Sequence, residues 1–384
     1  MTISLSHIFF WLDLLCQPVH AFWTGMCSVQ RGIILAMGCV FLGCGGGLHR
    51  TNLVVPQDGD ANSISLDPLF VSESFSGDVD SPVFWDGKGQ NPQVLVTAKR
   101  GNDVLFVDAQ SGQLAYRRGA AGREDGQLQR PNGIAVTGDI AWIVERDNRR
   151  VQLFSLPAME SIGSFGQDVL RKPYGISVIY FAGETDVYRV YVTDDYGPAE
   201  MAVGSSGKVK VFDVKLAENI EVQATAAFGY EDTVPLLGKV ESIMADPLHG
   251  RLLIADEEAK LVRVYSLSGE HLDVSLGDGL IQGDAEGIAL YEGGNKEGYW
   301  VLTDQGHRRN RFLLFRRTDL SYVGQFEISG VSNTDGIAVT ADAVGSHKEG
   351  VLFVVNDDAG LSAISWADLA NRLSLRVSAP KTGE

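Results

Sequence analysis

A chain of 384 residues, 45% apolar and 21% charged, is long and apolar enough to bury a sizeable core. Its formal charge of −17 excludes a surface for nucleic-acid backbones, which needs clustered Lys and Arg, and means that an anionic substrate must be met through a cation. All four cysteines, Cys16, Cys27, Cys39 and Cys44, precede Gly45, so the body of the chain has no thiol for a disulfide, a zinc site or a nucleophile.

The first predicted element is Gly32 to Gly43, GIILAMGCVFLG, an apolar run too short to span a bilayer comfortably and preceded by Arg31, the layout of a secretory h-region. With Cys44 and a glycine run after it, the segment resembles a bacterial lipoprotein signal, which implies a lipidated Cys44 as the new N-terminus. Cys39 is a rival site, Phe41 stands where such signals usually carry Leu, and the odd first stretch leaves Met26 as an alternative start to Met1. A membrane-anchoring helix kept in the mature chain is the other reading. Residues 1–44 are therefore expected to be a signal, with the protein exported and lipid-anchored at the cell envelope, on the outer membrane or cell surface, or released outside. Residues 45–67 are expected to be a polar tether rich in Asp, Asn and Ser.

From residue 68 to 376 the pattern changes to short apolar runs separated by Gly, Asn and Asp, with almost no helical periodicity. VLVTAKRGNDVLFVDAQSG, AWIVERDNRRVQLFSL, VYVTDDYGPAEMAVGSSGKVKVFDV, LLIADEEAKLVRVYSLSG, YWVLTDQGHRRNRFLLFRR and LFVVNDDAGLSAISW each read as strand, turn, strand, recurring about every 50 residues. Before each comes one more strand: VDSPVFW, RPNGIAV, PYGISVI, VESIMAD, DAEGIAL and TDGIAVT. The expectation is all-β, a six-bladed β-propeller with its edges hidden by closure, followed by a disordered tail at 377–384.

In an antiparallel meander, the turn before a blade's first strand and the turn between its second and third strands lie at one end. Asp80, Glu241, Asp284, Glu286 and Asp335 come from the first set of turns; Asp195, Asp256, Glu257, Asp304, Gln305 and Asp357 come from the second. All are expected at one mouth of the central channel, where crowded carboxylates repel unless a cation binds. Oxygen ligands without cysteine or an ordered histidine set favour Ca2+ over zinc. The bland alternatives are turn residues for Asp80 and Asp335, solvated hairpin charges for Lys99 and Arg149, channel packing for Tyr174, a surface turn for His307, and a strand with solvated flanks for RRNRFLLFRR.

GDAEGIALYEGGNKEGYWVLTDQG, then YVGQFEISGVSNTDGIAVT, then GVLFVVNDD with a closing ISWADLA, resembles the β-propeller phytase family in its Asp-x-Glu-Gly segment, its Gln-Gly turn, its Thr-Asp-Gly-Ile segment and its Trp-containing helix. The earlier blades look in part like the NHL propeller repeat, above all RPNGIAVTGDIAWIVERDNRRVQLFSL. The phytase resemblance implies calcium ligands at Asp80, Glu241, Asp284, Glu286, Gln305 and Asp335, and phosphate-binding partners at Lys99, Arg149, Tyr174 and Glu257. Two departures weaken the expected grip on a hexaphosphate: Asp195 stands where the family has a second phosphate-binding lysine, and Ala338 where it has another Asp. The implied activity is calcium-dependent hydrolysis of a small phosphate ester, phytate or a related compound, by a monomer. The alternative is a non-catalytic NHL-type binding or scaffold propeller with structural calcium. A lactonase-like hydrolase with an axial metal is a third reading.

Overall fold

Period-two apolar runs give a strand two packable faces, and the Gly, Asn and Asp between them let the chain reverse, so neighbouring runs pair antiparallel. The computed structural model describes residues 64–89, 91–182, 187–197, 207–229, 236–307 and 309–376. Two short strands come first, β1 (Ile64–Leu66) and β2 (Phe70–Val71). Blade 1 is β3 (Val79–Trp85), β4 (Gln93–Ala98), β5 (Asp103–Asp108) and β6 (Leu114–Arg118). Blade 2 is β7 (Pro131–Thr137), β8 (Ile140–Glu145), β9 (Arg150–Ser155) and β10 (Glu160–Phe165). Blade 3 is β11 (Pro173–Phe181), β12 (Val187–Asp194), β13 (Val209–Leu216) and β14 (Ile220–Phe228). Blade 4 is β15 (Val240–Asp246), β16 (Arg251–Asp256), β17 (Leu261–Ser266) and β18 (His271–Leu276). Blade 5 is β19 (Asp284–Glu292), β20 (Gly298–Gln305), β21 (Arg311–Arg316) and β22 (Tyr322–Ile328). Blade 6 is β23 (Ile337–Thr340), β24 (Val351–Asn356) and β25 (Gly360–Ser365).

The first strands β3, β7, β11, β15, β19 and β23 each touch the next, and β23 touches β3, so they ring a central channel. The expected six-bladed β-propeller is the fold. Blade 6 lacks an outer strand of its own and takes β2, which pairs antiparallel with β25. The edge that would otherwise stay open is closed from the other end of the domain.

Core clusters lie between blades. Trp85, Leu95 and Phe106 of blade 1 pack with Ile143 and Phe154 of blade 2, and Val94, Val96 and Leu105 pack on the other side with Phe353 and Val355 of blade 6. Covered on both faces, the second strands read as nearly continuous apolar runs such as VLV and AWIV. The closing helix α1 (Trp366–Leu373) is capped by Ser365, which accepts the N–H of Asp368. Its buried Trp366 stacks on Tyr291 of blade 5 with ring centroids 3.7 Å apart.

The signal expected at 1–44 and the tail at 377–384 lie outside the described residues, as does most of the tether. The described end of that tether is ordered: Ile64–Leu66 runs parallel to β22, and Leu66 is buried in the core under it. Among the described residues no helix is long and apolar enough to cross a membrane.

Candidate functional site

In each of the first five blades the innermost strand slips register with its neighbour just after it begins, between Val79 and Pro82, Pro131 and Ile134, Pro173 and Ile176, Val240 and Ile243, and Ala285 and Ile288. A bulge re-aims the side chain it carries. The bulged residues are Asp80, Asn132, Tyr174, Glu241 and Glu286, each followed by Ser or Gly, and Asp335-Gly336 stands in the same relation to β23 of blade 6. One repeated local feature therefore delivers one ring of six side chains at one mouth.

The small residue after the bulge has its own reason. A Cβ on Gly175 would lie 2.4 Å from the carbonyl oxygen of Glu241, and a Cβ on Gly336 would lie 2.4 Å from that of Asp80. Glycine lets the next blade's site residue sit directly against the backbone. Thr193 ties the same junction: its Oγ1 accepts the N–H of Gly175 at 2.7 Å and donates to the carbonyl of Glu241 at 2.7 Å.

The ring divides into two linked groups. In the first, the Lys99 ammonium lies 2.9 Å from Asp80, 3.0 Å from Asp335 and 3.5 Å from Asp78. The Tyr174 hydroxyl donates to Asp80 at 3.0 Å, and the Gln305 amide donates to Asp335. In the second, one carboxylate oxygen from each of Glu241, Glu257 and Glu286 lies within 4.8 Å of the others. Lys239 pairs with Glu241 at 3.2 Å and with Glu257.

Burial and mutual repulsion set the protonation of these groups. Burial, then the charge of Asp80, pushes Glu241 up to about 8 and Asp335 up to about 7. Glu286 is pushed well above the carboxylate range by burial and by Glu241. Burial also opposes the charge on Lys99, but Asp80 and Asp335 outweigh it and hold the ammonium protonated. Tyr174 is raised by burial and by the surrounding carboxylates, so its hydroxyl remains a donor.

The donor set fits a hard cation. Every candidate ligand atom is oxygen, and Glu241 Oε2 is buried without a hydrogen-bond partner. Three carboxylates converge, and Lys239 is the protein cation paired with two of them. The residues present therefore suit calcium, with Glu241, Glu257 and Glu286 at its centre and Asp80, Asp335 and Gln305 beside them.

Beside the carboxylates lies a cavity of about 210 Å3 lined by Lys99, Arg130, Arg146, Tyr174, Asp195, Lys239 and Glu241. Lys99 and Tyr174, two of the expected phosphate-binding partners, line it. Arg149 does not line this cavity: it occupies the β8–β9 turn at φ +53° with its side chain exposed, and Arg146, three residues earlier at the end of β8, lines it instead. Asp284 pairs with Gln305 in the ladder but stands outside the carboxylate trio. The bulge after Ala285 breaks the simple alternation that would have put Asp284 and Glu286 side by side, and Glu257 takes the third place.

Alternation along the second strands also separates two kinds of acid. Asp256 and Asp304 are buried staples, not mouth ligands. Asp304 accepts the N–H groups of Gln282 and Gly283 and pairs with Arg311, while Asp256 accepts from Gly238 and Ala259 and pairs with Arg263. Glu145 plays the same part with Arg150 in blade 2. The next residue along, Glu257 or Gln305, turns to the mouth. The flanks of RRNRFLLFRR are likewise not all solvated, since Arg311 and Arg317 are buried and ion-paired. Asp195 lines the cavity with its own counter-ion, Lys208, at 3.5 Å. Ala338 lies on β23 and lines the channel of about 510 Å3 instead of the mouth cavity. Asp357 and His307 are exposed.

Sequence reasoning missed Asn132, Arg130, Arg146 and Lys239. The signal for the first was available, because Asn132 occupies the column before Gly-Ile that holds Glu286 and Asp335 in the later blades.

The phytase family model matches residues 201–369, which carry Glu241, Glu257, Asp284, Glu286, Gln305 and Asp335. The chain resembles the β-propeller phytases. It is 25% identical to a 3-phytase of Bacillus subtilis (strain 168) over 335 residues, covering 78% of this chain and 82% of that one. Among solved structures it is similar to regucalcin, a calcium-binding protein of Agrobacterium tumefaciens strain C58, with a TM-score of 0.50 and 12% identity, covering 79% of this chain and 94% of that one. The second likeness is one of fold alone. The segment matched by the family model thus carries the carboxylate trio and Asp335, while Asp80 lies outside it. Blade 2, where the NHL-like pattern lies, has the same four-stranded form as its neighbours, so the fold does not distinguish that reading.

Proposed function

We propose that this protein is a calcium-dependent phosphomonoester hydrolase that releases phosphate from phytate or a related phosphorylated small molecule. The observation that supports this best is the junction of two opposite half-sites: Glu241, which groups with Glu257 and Glu286, also lines the cavity walled by Lys99, Arg130 and Arg146. A phosphate ester bridging them meets charge on both sides.

Calcium held by Glu241, Glu257 and Glu286 would supply positive charge and Lewis acidity to the site. Lys99, held protonated by Asp80 and Asp335, stabilises charge on the equatorial phosphate oxygens. Arg146 offers a planar fork suited to two of those oxygens. Tyr174 keeps Asp80 oriented through its hydroxyl. None of the residues lining the cavity is serine, cysteine or histidine, so direct displacement of the alcohol by water is the proposed route. The reading extends to location: export, and a lipid anchor at Cys44.

The test is phosphate release from phytate and from a simple aryl phosphate, with calcium and after chelation. Release that needs calcium supports the reading. No release at saturating calcium favours a non-catalytic propeller that binds calcium structurally.

A further inference from the structure

The six-membered ring at the mouth carries carboxyl groups at four positions, Asp80, Glu241, Glu286 and Asp335, a phenol at Tyr174 and an amide at Asn132 of blade 2. Asn132 is fully buried, and neither its amide nitrogen nor its amide oxygen has a hydrogen-bond partner. Two residues before it, Arg130 lines the mouth cavity, and its Nε is buried without a partner. Among the described residues neither Arg130 nor Arg146 forms an ion pair, whereas the other cations of this cavity, Lys99 and Lys239, are each held by carboxylates. Among the described residues, the blade 2 side of the mouth therefore keeps two guanidinium groups that no carboxylate pairs with directly.

The Arg130 backbone is fixed in an uncommon conformation. Its φ is +51°, the left-handed region, directly before Pro131. Its N–H donates to the Asn102 side chain at 2.8 Å, and its carbonyl accepts the N–H of Arg146 at 3.1 Å. Those two bonds hold Arg130 to the tip of blade 1 and to Arg146 of its own blade. The same cavity is lined by Asp195, at the place where the phytase resemblance implies a phosphate-binding lysine.

We infer that Arg130 binds a phosphate oxyanion of the substrate and supplies, from blade 2, the charge that Asp195 fails to supply from blade 3. The inference rests on the phosphatase reading and adds a substrate-binding residue to it. Asn132 serves the same end by being neutral: a carboxylate there would lie two residues from Arg130 and take up its charge.

The test measures binding of inorganic phosphate by calorimetry with calcium present, for the native chain, Arg130→Ala, Arg130→Lys and Asn132→Asp, with thermal unfolding of each. A charge-assisted bond of this kind corresponds to about tenfold or more in affinity. Arg130→Ala is expected to weaken phosphate binding by that factor, Arg130→Lys to recover part of it, and Asn132→Asp to weaken it as well. In turnover the loss should appear in KM more than in kcat. If Arg130→Ala, folded as judged by its melting, binds phosphate as tightly as the native chain, the inference is wrong while the phosphatase reading stands. If the native chain neither binds phosphate nor hydrolyses an ester with calcium present, both fall together.

Discussion

Lys99 Nζ stands 3.0 Å from Asp335 Oδ2, although 236 positions separate the two residues in the chain. The contact joins blade 1 to blade 6 at the seam of the ring, so closure of the propeller and assembly of the site are one event. A cation already sits among the acids of this seam, and it belongs to the protein.

Lys99→Met should therefore separate structural from functional charge. Removing one partner of a buried ion pair costs about 3–5 kcal/mol, and here it strands Asp80, whose side chain is 1% exposed, together with Asp335. Urea unfolding is expected to show most of that loss in chelator and a smaller loss in calcium, because a bound metal replaces the missing charge. Equal losses in both conditions would show that no metal reaches these carboxylates.

The pH dependence of the metal-free protein follows from the raised carboxyls. Glu241, pushed up to about 8, and Asp335, pushed up to about 7, keep protons that the unfolded chain releases near pH 4. The folded state then binds more protons than the unfolded one, so stability falls as pH rises from about 4 toward 8. Calcium, by stabilising the ionised forms, should cancel this slope. Melting temperatures in chelator and in calcium should diverge steadily across that range, and parallel curves would contradict the assignment.

Far from the mouth, at the other end of β15, Asp246 is buried and gripped by Arg317 at 2.7 and 3.0 Å, with His249 at 2.9 Å. Burial alone would raise its pKa, but the hydrogen bonds and charge of Arg317 outweigh it and leave Asp246 below its ordinary value. A depressed carboxylate stabilises the fold above its unfolded pKa, and that contribution disappears as pH falls through the folded one. Arg317→Met should cost about 3 kcal/mol and weaken resistance to acid, while phosphate release per folded molecule stays unchanged.

Asp195 illustrates how a structure revises a charge argument. From sequence it is a bare anion where a lysine is expected, and Asp195→Lys is the natural repair. With Lys208 at 3.5 Å, that change sets two ammonium groups side by side. Asp195→Asn is the better variant: it frees Lys208 and removes about 1 kcal/mol of repulsion toward phosphate, roughly fivefold in KM. An unchanged or higher KM for Asp195→Asn would show that phosphate does not approach this side.

The fold was legible because a propeller writes itself out six times: period-two runs, turn residues and a Gly-Ile column recur along the chain. The ring positions Asp80, Glu241, Glu286 and Asp335 were legible for the same reason, since each stands at the same place in its repeat. The differences from the expected positions share one physical origin. Asp284 and Arg149 were placed by assuming plain strand alternation and a generic turn, whereas the bulge after Ala285 and the course of the β8–β9 turn decide which neighbour faces the channel. Asn132 escaped notice because the expectation followed the carboxylates of this column, and blade 2 carries an amide there. Which lysine pairs with which acid depends on contacts between blades, and no single repeat records those.

The central claim, that the mouth carboxylates hold calcium, is tested most directly by titrating calcium into chelator-treated protein by calorimetry at pH 7 in two buffers of different ionisation enthalpy. With Glu241, Glu286 and Asp335 all raised by burial and by neighbouring carboxylates, binding should release protons, so the apparent heat should differ between the buffers, and Glu286→Gln should weaken binding while the propeller still melts cooperatively. A native protein that shows no calcium heat and no calcium-dependent change in melting temperature would contradict the claim.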